Sequence, residues 1–329
     1  MHDAWITYPA LKRLGPEGLA ERMARSPEEA ARWVEGAALN GIIGAQIAFG
    51  QMLVDGFGVA RDPAAALRWF TIAAKAGDAD AVTMLGRAHE FGWGVPADAA
   101  QAAVHYREAA ARGHAWAQFN LGTLLLNGTG VPQDPRAALD LFVRAARQRQ
   151  PKAMSILGRY REQGWCHPPR PATAGRQALA WYRRGAEGGD YRGQFDYARL
   201  LTLAGHGEAA LPWFARAVEE GVPVFCRQVG AGLAESGVPE LERIALRALE
   251  RACGTGEPQD LDAYAGALAA GLGGTPQPEE AARLAAQARE IERRTAEREA
   301  VRPAVSRPAR RLALPQRLLW RFRRWIDRA

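Results

Sequence analysis

AVTMLGRAHEFGWGVPADAAQAAVHYREAAARG (81–113) has a near copy of itself on either side. Upstream stands AQIAFGQMLVDGFGVARDPAAALRWFTIAAKAG (45–77) and downstream AQFNLGTLLLNGTGVPQDPRAALDLFVRAARQR (117–149), aligned without a gap at a period of 36 residues. Ala45, Ala81 and Ala117 match, as do Gly50, Gly86 and Gly122, then Gly58, Gly94 and Gly130. Val59, Val95 and Val131 follow, and Asp62, Asp98 and Asp134 close the series. A fixed period of this length is the mark of a solenoid, in which each unit covers the apolar face of its neighbour.

The unit reads as two helices joined by a glycine loop. Ala81, Leu85 and Ala88 recur at spacings of four and three, one helical stripe. Gly86 lies inside that helix, where glycine costs about 0.5–1 kcal/mol relative to alanine. Its recurrence as Gly50, Gly122 and Gly158 implies that a partner helix approaches the backbone there. The loop glycines suit the left-handed conformation that ends a helix. Val59, Val95 and Val131 are apolar in a polar loop and are expected to plug the core. Asp62–Pro63 and Asp134–Pro135 put an N-cap carboxylate before a first-turn proline, and Asp98 keeps the cap alone. The second helix then carries Ala66, Trp69, Phe70, Ala73 and Ala74, repeated as Ala102, His105, Tyr106, Ala109 and Ala110 and as Ala138, Leu141, Phe142, Ala145 and Ala146. Fixed helical spacing makes these aromatics core rather than a ligand box.

These residues resemble the Sel-one-like repeat, a lengthened relative of the tetratricopeptide repeat, with its A-x-x-x-L-G, G-x-G-V-x-x-D and A-x-x-W-Y-x-x-A-A-x-x-G motifs in register. The resemblance implies an all-α fold, a right-handed superhelical solenoid of about seven antiparallel helical hairpins. Residues 1–44 read as an N-terminal capping repeat, since Ala30, Trp33, Ala37, Ala38 and Gly41 match a second helix. Residues 45–192 hold the well-formed repeats; the fourth has four extra residues assigned to its loop, within WCHPPRPATAGRQ (165–177). Residues 193–300 read as degenerate helical repeats with a long helix, the fifth keeping Ala210, Trp213, Phe214 and Ala217 without the glycine–valine–aspartate loop.

The last stretch, 301–329, differs in kind. It carries nine arginines and one aspartate, a net +8, so the preceding 300 residues sum to −1 and the chain's +7 comes from this stretch. A Pro/Arg linker leads to an amphipathic helix with Leu318, Leu319, Phe322, Trp325 and Ile326 on one face and Arg317, Arg321, Arg323, Arg324 and Arg328 around it. Arg317, Arg321, Phe322, Arg324 and Trp325 form the candidate tail surface. Three destinations are open for it: the last repeat, an anionic membrane surface, or a protein or nucleic acid.

No basic start precedes an apolar run, and no segment of 18 or more apolar residues occurs, so the expected place is the cytoplasm, with the tail allowing a peripheral position at the inner membrane. Cys166, Cys226 and Cys253 are odd in number and irregularly spaced, unlike the cysteine pairs that staple secreted relatives of this repeat. No catalytic constellation emerges. His89–Glu90 has no second histidine at zinc-helix spacing, and Cys166–His167 has no second pair to complete a tetrahedral site. The Gly-x-Gly pairs precede an aspartate that would repel phosphate, and Asp78 and Asp80 fit turn caps. The expectation is a non-enzymatic adaptor with no cofactor, no metal and no small-molecule substrate, for which nucleic acid is not the main partner.

In the resembling tetratricopeptide family, partners are held by first-helix residues flanking the leucine–glycine pair. The resemblance carries that role onto Gln51, Arg87, Thr123 and Arg159, with Glu90, Leu126 and Glu162 three residues on. Ile47, Thr83, Phe119 and Ser155 precede them. Arg87 and Arg159 would meet carboxylates of a peptide or helical partner, and Phe119 and Leu126 would add an apolar patch. The alternative for each residue is a merely solvated helix position.

Overall fold

A computed structural model describes residues 26–164 and 171–301, with side chains over 26–164 and 175–297. Residues 1–25 of the capping segment, the Cys166–His167 pair and the tail residues Arg317, Arg321, Phe322, Arg324 and Trp325 lie outside the described residues. All regular structure among the described residues is helical: fifteen α-helices and one 3-10 turn. The chain divides after Arg170 into two compact units.

The first unit contains α1 (Pro27–Leu39), α2 (Ile43–Asp55), α3 (Pro63–Lys75), α4 (Ala79–Phe91), α5 (Ala99–Ala111), α6 (Ala115–Asn127), α7 (Pro135–Arg147) and α8 (Pro151–Gln163). Pairs α2–α3, α4–α5 and α6–α7 are the three aligned repeats, each helix packing on the next. The caps are those the sequence calls for. Asp62, Asp98 and Asp134 each accept a backbone N–H of the first turn at 2.9 Å, from Ala65, Ala100 and Ala137. At the other end Gly56, Gly92 and Gly128 take the left-handed conformation as C-caps of α2, α4 and α6.

Each recurrent helix glycine makes room for one aromatic ring. A β-carbon on Gly50 or Gly86 would lie 2.5 Å from Cε1 of Phe70 or Tyr106, and one on Gly122 would lie 2.9 Å from Cε1 of Phe142. Phe70, Tyr106 and Phe142 are fully buried. Burial of each is worth about 2–3 kcal/mol, more than the glycine costs its helix. Gly94, at φ +72°, sits against the previous repeat: a β-carbon would fall 2.6 Å from the Pro63 carbonyl oxygen. The glycine loop of one repeat thus seats on the start of the second helix of the repeat before it. Val59 and Val131 are half-buried against the adjoining cores, as expected of plugs.

The repeat ends carry one irregularity. Gly77 and Gly113 turn the chain at φ +86°, and at the matching position Arg149 does so at φ +63°. It is the one non-glycine residue with positive φ among the described residues.

The second unit contains α9 (Pro171–Glu187), α10 (Tyr191–Leu203), α11 (Gly207–Glu220), α12 (Pro223–Ala234), α13 (Pro239–Ala252), α14 (Pro258–Ala270) and α15 (Pro278–Val301), with a 3-10 turn at Cys253–Thr255. Here one expectation is corrected. The four extra residues of the fourth repeat do not simply lengthen a loop: α9 starts at Pro171 and runs 17 residues, against 13 in α3, α5 and α7. Four residues are close to one helical turn, so the helix grows without rotating Tyr182 out of the core. In the fifth repeat the α10–α11 connection is only 204–206, with Phe195 and Phe214 packed edge to face at 5.4 Å. Further on, the pairs α12–α13 and α14–α15 are helical hairpins. The Asp260 carboxylate, 1% exposed, is held by the Arg227 guanidinium at 2.5 and 2.6 Å and by the Thr255 hydroxyl. Cys226 and Cys253 are free thiols.

Candidate functional site

The first-helix residues singled out in the sequence fall on α2, α4, α6 and α8, all within the first unit. Their leading row does not form a surface. Thr83 and Ser155 are buried, Ile47 packs against the adjoining core, and Phe119 is half-buried with its ring 5.9 Å from that of Phe142. The next row, Gln51, Arg87, Thr123 and Arg159, is half-buried throughout, as are Glu90, Leu126 and Glu162. A residue at this depth is neither freely solvated nor part of the core. It is shaped by its neighbours and still reachable.

Those neighbours are specific around Arg87. Its Nη1 donates to Gln51 Oε1 at 3.4 Å, across from α4 to α2, and Gln51 Nε2 donates in turn to Asp55 at 2.8 Å. The guanidinium carbon lies 4.7 Å from the ring centre of Trp93 and 4.8 Å from that of Trp116, with Phe91 at 5.8 Å. Trp93 lies between the loop glycines after α4, and Trp116 stands in the first turn of α6. Glu90, nearby, accepts the Tyr106 hydroxyl at 2.6 Å. Burial of Tyr106, and then that bond, push its phenol far above the usual range. Burial holds the Arg87 guanidinium below its ordinary pKa, with Tyr106, Glu90 and Asp55 acting the other way.

Elsewhere on the face, Thr123 Oγ1 is turned inward to the Phe119 carbonyl at 3.0 Å, and the Leu126 carbonyl is taken by the Gln133 side chain at 2.8 Å. The structure thus brings Gln51, Arg87 and Glu90 into one neighbourhood, and no bond joins Arg159 to it. Trp93 and Trp116 are the residues that the sequence reading passed over. Their signal was present: two large indoles at positions outside the apolar stripe that repeats elsewhere.

A second constellation has the outline of a catalytic triad. His114 bonds Asp80 through Nε2 at 2.7 Å and Thr83 Oγ1 through Nδ1 at 2.8 Å. Its chemistry is that of a cap. Nδ1 also accepts the Ala117 N–H at 3.3 Å at the start of α6, while Nε2 faces Asp80. Thr83 is completely buried, and its hydroxyl also reaches the Ala79 carbonyl at 2.8 Å, so no substrate can meet it. Asp78 caps α4 through the Ala81 N–H at 2.9 Å, as the sequence suggested, while Asp80 instead holds the cap of the next repeat. Among the described residues no group of three or more His, Cys, Asp or Glu side chains is placed to hold a metal ion, and no helix is long and apolar enough to cross a membrane.

Short helical hairpins in a 36-residue register, with structural polar networks and a half-buried row on the first helices, define a helical-repeat scaffold. The Sel1 repeat model matches residues 44–78, 79–114, 117–149 and 151–190, so the chain carries four Sel1 repeats. Proteins of this family commonly act as protein–protein interaction scaffolds. A solved Sel1 repeat protein from Oxalobacter formigenes is 26% identical, with a TM-score of 0.57, over 73% of this chain and 99% of its own. A protective antigen present in uropathogenic Escherichia coli strains, which displays the SLR fold, is 28% identical with a TM-score of 0.50 over 84% of this chain. The match spans 61% of that antigen's own length. No curated protein matches the chain.

Proposed function

We propose that this protein is a non-enzymatic adaptor that holds a segment of a partner protein along the first-helix face of residues 26–164. One observation carries the reading: Gln51, Arg87, Thr123 and Arg159 recur one repeat apart on successive first helices and all stand half-buried. A row with that spacing and depth suits an extended or helical peptide, which needs contacts at regular intervals along its length. Leu126 and the half-buried edge of Phe119 supply apolar area beside the row, and the arginines supply charge on either side of it.

The test is site-specific photocrosslinking in full-length protein. A photoreactive residue at Thr123 is expected to capture a discrete partner, and one at Val104, 50% exposed on α5, is expected to capture nothing in common with it. Arg87→Glu combined with Arg159→Glu should remove the Thr123 product. Equal capture from both positions, or a product unaffected by the double change, would rule out this face as the binding surface.

A further inference from the structure

We infer that the Arg87 guanidinium is the seat for an Asp or Glu side chain of the bound segment, so that this protein selects acidic peptides. The inference rests on the adaptor reading above and names what that site recognises.

Arg87 is a charge with walls and no ion pair in contact among the described residues, Glu90 and Asp55 acting on it only from a distance. Trp93 and Trp116 each lie within 4.8 Å of the guanidinium carbon, so two indoles wall the group. Nη1 is committed to Gln51 and brushes the Met84 sulfur at 3.7 Å, while Nε and Nη2 have no acceptor among the described residues. Those two atoms form the side of the fork that accepts a carboxylate by two parallel bonds.

The chain's own carboxylates do not fill the seat. Asp55 is held by Gln51 at 2.8 Å and Glu90 by the Tyr106 hydroxyl at 2.6 Å, so the two acids nearest to Arg87 are each tied to a neutral donor. Burial of an arginine is ordinarily balanced by an ion pair, and here it is not. The desolvation already imposed on the guanidinium also means that little further dehydration is needed when a carboxylate arrives. The choice of a side chain over a chain terminus follows from position: the row runs past Arg87 on both sides, to Gln51 on α2 and to Thr123 and Arg159 on α6 and α8. A segment lying along it crosses Arg87 in mid-chain.

The experiment selects binders of the full-length protein from a library of random dodecapeptides, N-acetylated and C-amidated so that no terminal charge remains. Peptides whose binding is lost in Thr123→Arg are kept as binders of this face. These are expected to carry Asp or Glu at one fixed position. Replacing that residue by Asn or Gln should weaken binding about 10- to 100-fold, the range for a charge-assisted bond. Arg87→Lys, which keeps the charge but loses the fork, should weaken the parent peptide similarly. In Arg87→Lys the acid-to-amide change should then have little further effect, a coupling that a merely structural arginine would not show. Arg87→Met, with its melting curve compared with that of the parent, separates loss of the seat from loss of the fold.

Face-binding peptides with no acidic preference, or with no coupling to Arg87, would overturn the carboxylate seat and leave the adaptor reading standing. Absence of any peptide sensitive to Thr123→Arg would overturn both.

Discussion

Arg87 reaches back across one full repeat, 36 residues, to the side-chain oxygen of Gln51 at 3.4 Å. The two residues occupy the same position in successive units, so this bond is the repeat meeting itself. It is also the weaker part of what holds Arg87. The two indoles within 4.8 Å are worth about 0.5–2 kcal/mol each as cation–π contacts at partly desolvated sites. Arg87→Ala should therefore cost about 1–3 kcal/mol, much of it lost packing of the side-chain stem. Urea unfolding of the variant measures this. A cost close to zero would mean that the indoles do not hold the guanidinium in solution.

Glycines inside helices should divide into two classes. Gly86→Ala would force a β-carbon to within 2.5 Å of the fully buried Tyr106 ring, and should destabilise by about 1–3 kcal/mol. Gly266, within α14, has open space around its β-carbon position. Gly266→Ala should stabilise by about 0.5–1 kcal/mol through helix propensity alone. Denaturation midpoints of both variants are the check, and a shift of the same sign in each would remove the distinction.

Arg149 turns the chain at φ +63° where the two preceding repeats use glycine at φ +86°. A non-glycine residue in that region costs about 1–2 kcal/mol. Glycine relieves the strain but widens the unfolded ensemble by about 0.4–1 kcal/mol. Arg149→Gly should therefore raise stability by up to about 1 kcal/mol, read as a higher melting temperature. A lower one would show that the Arg149 side chain contributes more than its backbone costs.

His105 lies on α5 with its ring stacked on that of His89 at 5.2 Å, and the buried Nδ1 of His89 has no hydrogen-bond partner. Burial first, and His89 second, hold the His105 imidazole below its ordinary value of 6.5, with Glu108 pulling the other way. A depressed histidine means that the unfolded chain binds the proton more readily. Stability is therefore full above about 6.5 and declines as the pH falls from there towards the folded value. Measured unfolding free energy between pH 8 and 5 should show this loss, and His105→Phe should flatten the profile. An unchanged slope in the variant would assign the loss to other groups.

Much of the fold was legible because the forces that set it are local and repeat. Asp62, Asp98 and Asp134 announce helix starts, since a cap needs only a side chain two or three residues from the N–H it accepts. Gly50, Gly86 and Gly122 announce a close approach, since only the missing β-carbon explains glycine in a helix three times over. The fourth repeat was less legible. An insertion counted along the chain can lengthen either a loop or a helix, and α9 took the helix.

The site divides along the same line. Period and stripe by themselves determined that Gln51, Arg87, Thr123 and Arg159 fall in one row on successive helices, because a constant repeat length returns each position to the same face. Only the tertiary structure decided what the row is made of. It sank Thr83 and Ser155 into the core, turned Asp80 to His114 one repeat away, and closed Trp93 and Trp116 around Arg87. Those outcomes depend on side chains from different repeats sharing a few ångströms of space. A periodic pattern fixes where each side chain starts, and packing between neighbours fixes where it ends.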